Sequence, residues 1–221
     1  MVRQEINIVW YKRDLRLRDH EPLAAAISQG VPVLLLYILD PEYVSNAHYS
    51  ERHWQFVRDS LKNMAKKLKE QGQYLTVLEG NTLEVFEHLH STFSIKNIYS
   101  HQETGLGFSY SIDQALKEWT DSEKLNWTEF QQNGVIRGLK NRKFWAKRWY
   151  AHMHSSEILI DMSCLKTVSF SSEIFEPLYF VQLERNTDIQ PGGEQLALAV
   201  LNDFINNRSK QYAYLISKPN E

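Results

Sequence analysis

The stretch that decides the fold is Ile6-Asn7-Ile8-Val9-Trp10-Tyr11-Lys12-Arg13-Asp14-Leu15-Arg16-Leu17-Arg18-Asp19-His20-Glu21-Pro22-Leu23. An apolar run from Ile6 to Trp10, broken only by Asn7, reads as a buried strand. It stops at five charges, Lys12, Arg13, Asp14, Arg16 and Arg18, before a helical pattern begins. So many charges in one turn can be buried only if they pair with one another or with a ligand. Asp19 stands where an N-cap belongs, and Pro22 suits a first helical turn. Strand, charged turn and helix make the opening of an α/β unit.

The same alternation continues outward. Val33 to Leu39 is an unbroken apolar run closed by Asp40-Pro41, the pattern of a strand buried on both faces of a parallel sheet. From Tyr49 to Gln71, Trp54, Val57, Leu61, Met64, Ala65 and Leu68 recur at three and four, and Gly72 follows. That is one long amphipathic helix with a glycine stop. Tyr74–Leu78, Ile95–Tyr99 and Leu125–Phe130 supply three more strands, with helices at Thr82–His90 and Ser109–Trp119 between them. The expectation is a Rossmann-like α/β fold, an open parallel five-stranded sheet with helices on both faces. A long connector and a terminal helix should follow. Ligands of such sheets bind at the carboxyl ends of the strands, near the point where strand order reverses. The loops at 11–20, 40–52 and 100–110 should therefore face the crevice. The organisation expected is an α/β core over 1–135, a closing helix and connector over 136–190, and the start of another domain over 191–221.

Composition limits the function classes. Of 221 residues, 43% are hydrophobic and 24% charged, enough to bury a sizeable core. A net charge of −2 gives no global basic field to hold nucleic acid, so any such contact must be local. The single cysteine, Cys164, excludes an internal disulfide and a cysteine-based zinc site. A reducing, cytoplasmic location is the default, and no apolar run approaches membrane-spanning length. A monomer is the expectation.

Trp10-Tyr-Lys-Arg-Asp-Leu-Arg-Leu-Arg-Asp-His20 closely resembles the opening strand and loop of the DNA photolyase and cryptochrome family. The resemblance extends to Leu39-Asp40-Pro41, to the Ser50-x-Arg52 helix start, and to Glu103-Thr-Gly105 with Asp113 downstream. It implies a light-harvesting N-terminal domain, with Glu103, Gly105, Asp40 and Arg52 around an antenna pigment, a folate, a deazaflavin or FMN. Arg13, Asp14 and Arg16 form the loop motif, either as functional residues or as ties within a charged turn. Glu103 is read either as a pigment contact or as a solvated loop residue. One departure is Ile112-Asp113, where relatives often have Arg-Asp. The helix after Pro191-Gly192-Gly193, with Leu196, Val200, Leu201, Phe204 and Ile205 as its stripe, resembles the first helix of the family's flavin-binding domain. Arg208-x-x-x-Tyr212 and Lys218-Pro219 fit it too. The remainder of that all-helical half, with its FAD site, is expected to lie outside this chain, which leaves no catalytic residue within it. The full-length parent would use light and reduced FAD to repair pyrimidine dimers in UV-damaged DNA. A signalling cryptochrome is the alternative within the family, and a stand-alone nucleotide-binding module the alternative outside it. The module gains no support from a GxxxxGK[ST] sequence, which this chain lacks.

His101 sits near a glutamate, but no second histidine or carboxylate stands at metal spacing in the sequence, so no metal site is expected. Residues 137–150 carry six basic residues, four aromatics and no acid. Such a mixture suits either a nucleic-acid strand or a helix packing Phe144, Trp145 and Trp149 against the sheet while its cations face water. Packing is the preferred reading. All six tryptophans read as core or interface residues.

Overall fold

The computed structural model describes residues 2–216. Five strands, β1 (Glu5–Tyr11), β2 (Val33–Leu39), β3 (Thr76–Glu79), β4 (Ser94–His101) and β5 (Asn126–Phe130), form one sheet in the order β3-β2-β1-β4-β5. Every pairing is parallel. The expected Rossmann-like sheet is therefore present, and strand order reverses between β1 and β4.

Helices α1 (Glu21–Ser28), α2 (Pro41–Ser45), α3 (Glu51–Lys69), α4 (Thr82–Thr92) and α5 (Gly107–Ser122) fill the crossovers. Alternation along β1 sends Ile6, Ile8 and Trp10 to one face, where Phe86 and Leu89 of α4 and Leu116 of α5 cover them. Val9 and Tyr11 point to the other face, under Leu23 of α1 and Leu61, Met64 and Leu68 of α3. Each fully buried aliphatic side chain contributes about 1.5–3 kcal/mol, so the two-sided core fixes which residues of the sheet face which layer. Asn7, the polar break in the first apolar run, is fully buried. Its Oδ1 accepts from Asn97 Nδ2 at 3.0 Å, and Asn97 Oδ1 accepts from Asn126 Nδ2 at 2.8 Å, a polar ladder across β1, β4 and β5.

Two local expectations need correction. His20, not Asp19, caps α1, its Nδ1 accepting from Leu23 N–H at 3.1 Å. Glu21-Pro22 occupy the first helical positions, which moves the cap one residue on, and Asp19 turns left-handed at φ 46°. The basic segment does form a helix, α6 (Trp145–Met153), but no residue of it is buried. Phe144 takes a left-handed φ of 63° and is 64% exposed. Trp145 and Trp149 rest on the loop before the helix, with Trp145 Nε1 donating to Gly134 O at 3.2 Å. The stripe residues Leu196, Val200, Leu201 and Ile205 lie on a helix as expected, α8 (Glu194–Asn206), and are all exposed. Lys218-Pro219 lie outside the described residues.

The connector is not a loose tether. Thr167 pairs with Val33 in a parallel bridge, Val33 N–H donating to Lys166 O at 2.8 Å and Val168 N–H to Val33 O at 2.9 Å. Further on, Glu79 N–H donates to Phe175 O at 2.9 Å, and Phe175 and Phe180 are buried. A short helix, α7 (Leu178–Gln182), follows, and Arg58 of α3 donates to the carbonyls of Phe180 and Leu183.

Asp40 ties the end of β2 to α4. Its Oδ1 caps α2 through Glu42 N–H at 2.9 Å, and its Oδ2 accepts from Thr82 N–H and Oγ1, both at 2.8 Å. Asp40→Ala removes all three bonds and leaves the buried Thr82 donors without a partner. The expected loss is about 2–3 kcal/mol of unfolding free energy in urea titration, and a change below about 0.5 kcal/mol would contradict the tie.

Candidate functional site

The loop that leaves β1 converges on one carboxylate. Asp14 Oδ1 accepts from Lys12 N–H at 2.8 Å, and Oδ2 meets His20 Nε2 and His101 Nδ1, each at 2.6 Å. All three side chains are buried. Because His20 Nδ1 accepts the helix-cap bond, its neutral ring carries the proton on Nε2 and donates it to Asp14. Burial pushes the His20 pKa down. Burial alone would raise Asp14, but its partners, His20 and then His101, outweigh this and hold it well below the usual carboxylate range. The result is an Asp14 anion beside a neutral His20. By residue type, Asp14, His20 and His101 also make a ligand trio. With its proton on Nε2, however, His20 turns no lone pair toward that point, and the trio reads as a hydrogen-bond relay.

Beside the relay opens a cleft of about 730 Å³ at the carboxyl ends of β1 and β2. Tyr11, Arg13, Tyr37, Tyr43, Tyr49 and Trp54 contribute to its wall, and the start of α8 closes one side through Glu194 and Leu198. Tyr43 stacks edge-on against Phe108, and Tyr49 lies 5.2 Å from Trp54, ring centre to ring centre. Burial raises the pKa of Tyr11, Tyr37 and Tyr43, so their hydroxyls remain neutral donors. The Tyr11 hydroxyl is buried and has no hydrogen-bond partner, an unusual state for a polar group.

Charges flank the cleft in pairs. Arg13 Nη2 lies 3.3 Å from Glu103 Oε1 and donates to Tyr49 Oη at 3.1 Å. Glu103 is buried and also accepts from Gly105 N–H at 2.5 Å. A Cβ at Gly105 would meet the Arg13 guanidinium and the Glu103 carboxylate, so a side chain there requires both groups to move. On the other side Lys12 Nζ reaches both oxygens of Asp113, at 2.7 and 2.8 Å, and lies 4.2 Å from the centre of the Trp10 ring. Burial pushes Asp113 up to about 6, with Lys12 pulling it back. Arg137 adds a second cation to Asp113 at 3.5 Å and pairs with Glu129.

The DNA photolyase family model matches residues 7–139, more than half of the chain. The chain belongs to the DNA photolyase family. A cryptochrome DASH of Synechocystis sp. is 33% identical over 101 residues, covering 43% of this chain and 21% of that protein. The crystal structure of a Synechocystis sp. PCC6803 cryptochrome superposes with a TM-score of 0.76 at 19% identity, over 97% of this chain and 49% of that one. The archaeal photolyase of Sulfolobus tokodaii, solved with two FAD molecules, gives a TM-score of 0.72 at 18% identity, over 90% of this chain and 47% of that one. At those identities the superpositions speak for the fold, and the chain spans about half the length of the solved photolyase-family chains it matches.

Among the residues that the photolyase resemblance singles out, Arg13, Asp14, Arg16 and Asp40 border the cleft. Glu103 and Gly105 stand behind Arg13, joined to the wall through its guanidinium. Arg52 is exposed on the first turn of α3 and does not line the cleft. Sequence reasoning missed Tyr11, His20 and the link from His101 to Asp14. The spacing between Asp14 and His101 carries no local signal, since only the β1–β4 pairing brings them together.

The relay has a pH signature. His20, with its pKa lowered in the fold, contributes stability that is complete above about pH 6.5 and is lost as acid protonates the unfolded chain first, by up to about 1.4 kcal/mol per pH unit. Asp14 adds a loss of the same sign below about pH 4, while Asp113, raised to about 6, acts oppositely in the interval between. His20→Asn keeps a capping side chain without the titration. The stability advantage of wild type over this variant should shrink from pH 7 to pH 5 in urea denaturation, and a constant difference would contradict a neutral buried His20.

Proposed function

We propose that this chain is the light-harvesting N-terminal domain of a deoxyribodipyrimidine photolyase-like flavoprotein, its cleft holding a planar antenna pigment, a folate, a deazaflavin or FMN. The observation that carries the reading is the orphaned Tyr11 hydroxyl at an aromatic-walled cleft. A heteroaromatic ring bearing carbonyl and N–H groups offers that hydroxyl a partner and offers Tyr43, Tyr49 and Trp54 a face to pack on. Arg13 is the cation at the wall, and Glu103 fixes its position from behind with a charge-assisted contact. Asp14, anchored by two histidines, holds the loop from which Arg13 projects. Sulfolobus tokodaii photolyase, whose structure is described as implying a novel light-harvesting cofactor, offers a parallel on the same fold.

In this reading residues 191–221 begin the helical FAD-binding part, and the full-length protein repairs UV-induced pyrimidine dimers in DNA. FAD supplies light-driven electron transfer there; the residues of this chain orient the pigment and exclude water around it. The competing reading, a blue-light-sensing cryptochrome without repair activity, is favoured by the cryptochrome name of the Synechocystis relative. Blue-light repair of a cyclobutane dimer by the full-length protein separates the two.

The pigment is tested by titrating the purified chain with FMN, a reduced folate and a deazaflavin, and following visible absorption and fluorescence. One of the three should bind with a shifted near-UV or blue band. Tyr11→Phe should weaken it about 3- to 10-fold, the worth of one hydrogen bond, and Arg13→Ala and Glu103→Ala should weaken it together, since Glu103 acts through Arg13. Binding that none of these changes alters would exclude this cleft as the pigment site.

A further inference from the structure

Residues 140–150 form a surface that the cleft does not use. Lys140, Arg142, Lys143, Lys147 and Arg148 are all exposed, and none makes an ion pair among the described residues. No acid lies between Glu129 and Glu157, and those two are already engaged by Arg137 and Arg18. In a chain of net charge −2, five unpaired cations within nine residues are a local excess of positive charge open to an external anion.

Exposed aromatic rings lie among the charges. Phe144 is 64% and Tyr150 60% exposed. Phe144 holds a left-handed backbone, strained for a bulky residue, without packing against the core in return. Lys143 Nζ lies 5.3 Å from its ring centre. Trp145 and Trp149 pin the helix from beneath, since any side chain at Gly134 would collide with the Trp149 ring. The helix is thereby fixed with its cations outward. An amphipathic membrane helix separates cations from a continuous apolar face; here the exposed rings and the cations share one surface.

We propose that residues 140–150 bind a single-stranded stretch of nucleic acid, with Lys140, Arg142, Lys143, Lys147 and Arg148 against phosphates and Phe144 stacking on an unpaired base. Cations spaced along a short segment follow a phosphodiester backbone, and a solvent-facing ring offers a base the stacking surface that a duplex keeps closed. None of residues 140–150 lines the cleft, so this site stands or falls apart from the pigment reading.

The test is fluorescence anisotropy of the whole chain with a labelled undamaged oligothymidylate, repeated with a duplex of equal length and with vesicles containing phosphatidylserine. The strand should bind, with a slope of log affinity on log salt of up to about −3.5 for five phosphate contacts. Arg142→Ala/Lys147→Ala/Arg148→Ala should lower affinity at least tenfold and flatten the slope by about 2, and Phe144→Ala should weaken the strand about tenfold while leaving the slope unchanged. Lys96→Ala/Lys117→Ala, elsewhere on the surface, should change nothing, and unaltered thermal unfolding of every variant guards against misfolding. No binding, binding undiminished in the triple variant, a duplex held as tightly as the strand, or preference for the vesicles would each overturn the proposal.

Discussion

One carboxylate oxygen, Asp14 Oδ2, receives two imidazole nitrogens at 2.6 Å in a fully buried position. An unpaired ion in such a place costs several kcal/mol, so the anion persists only because its donors are held in register. His20 is held by its duty as the cap of α1, and His101 by its place at the end of β4. The parallel pairing of β1 with β4 puts that strand end beside the charged loop. The carboxylate thus joins the helix that follows β1 to the strand that sits across the reversal of strand order. Everything that lines the cleft from the β1 side hangs from this joint.

The charges after β1, too many to bury alone, resolve into separate partnerships. Lys12 turns to Asp113, Arg13 to Glu103 and Tyr49, and Asp14 to the two histidines. Arg16 donates to the carbonyl of Asp19, and Arg18 pairs with Glu157 in the connector. Consecutive cations of the loop thus part company: Lys12 is held against the Trp10 and Trp127 rings, and Arg13 is presented at the cleft. Only the second, Arg13, remains nearly half exposed, which is what a ligand contact requires.

The fold was legible because apolar runs and helical stripes of this chain obey simple periods. Val33 to Leu39 reads as a doubly buried strand and is one. The site was half legible. Arg13, Asp14 and Asp40 belong to short contiguous motifs, and the structure brings them to one cleft. His101 resisted because its partners lie 87 and 81 positions away, a contact that only strand pairing creates. The segment from 137 to 150 misled for a different reason: aromatic residues in a row promise burial, yet Trp145 and Trp149 rest on the loop at Gly134 while Phe144 and Tyr150 stay exposed. Asp19 failed as a cap because a histidine with a free Nδ1 lone pair competed one residue on, and a residue scale that favours aspartate does not see the second hydrogen bond that rewards the imidazole.

An open parallel sheet leaves two rims of unpaired amides, and β3, with four residues, is too short to cover all of β2. The connector supplies what is missing. Thr167 continues the ladder beside Val33, where β3 does not reach, and the carbonyl of Phe175 takes the amide of Glu79 on β3 itself. A passing strand from another molecule finds that stretch already engaged, so a segment whose sequence suggests mere linkage works as a guard against edge-to-edge polymerisation.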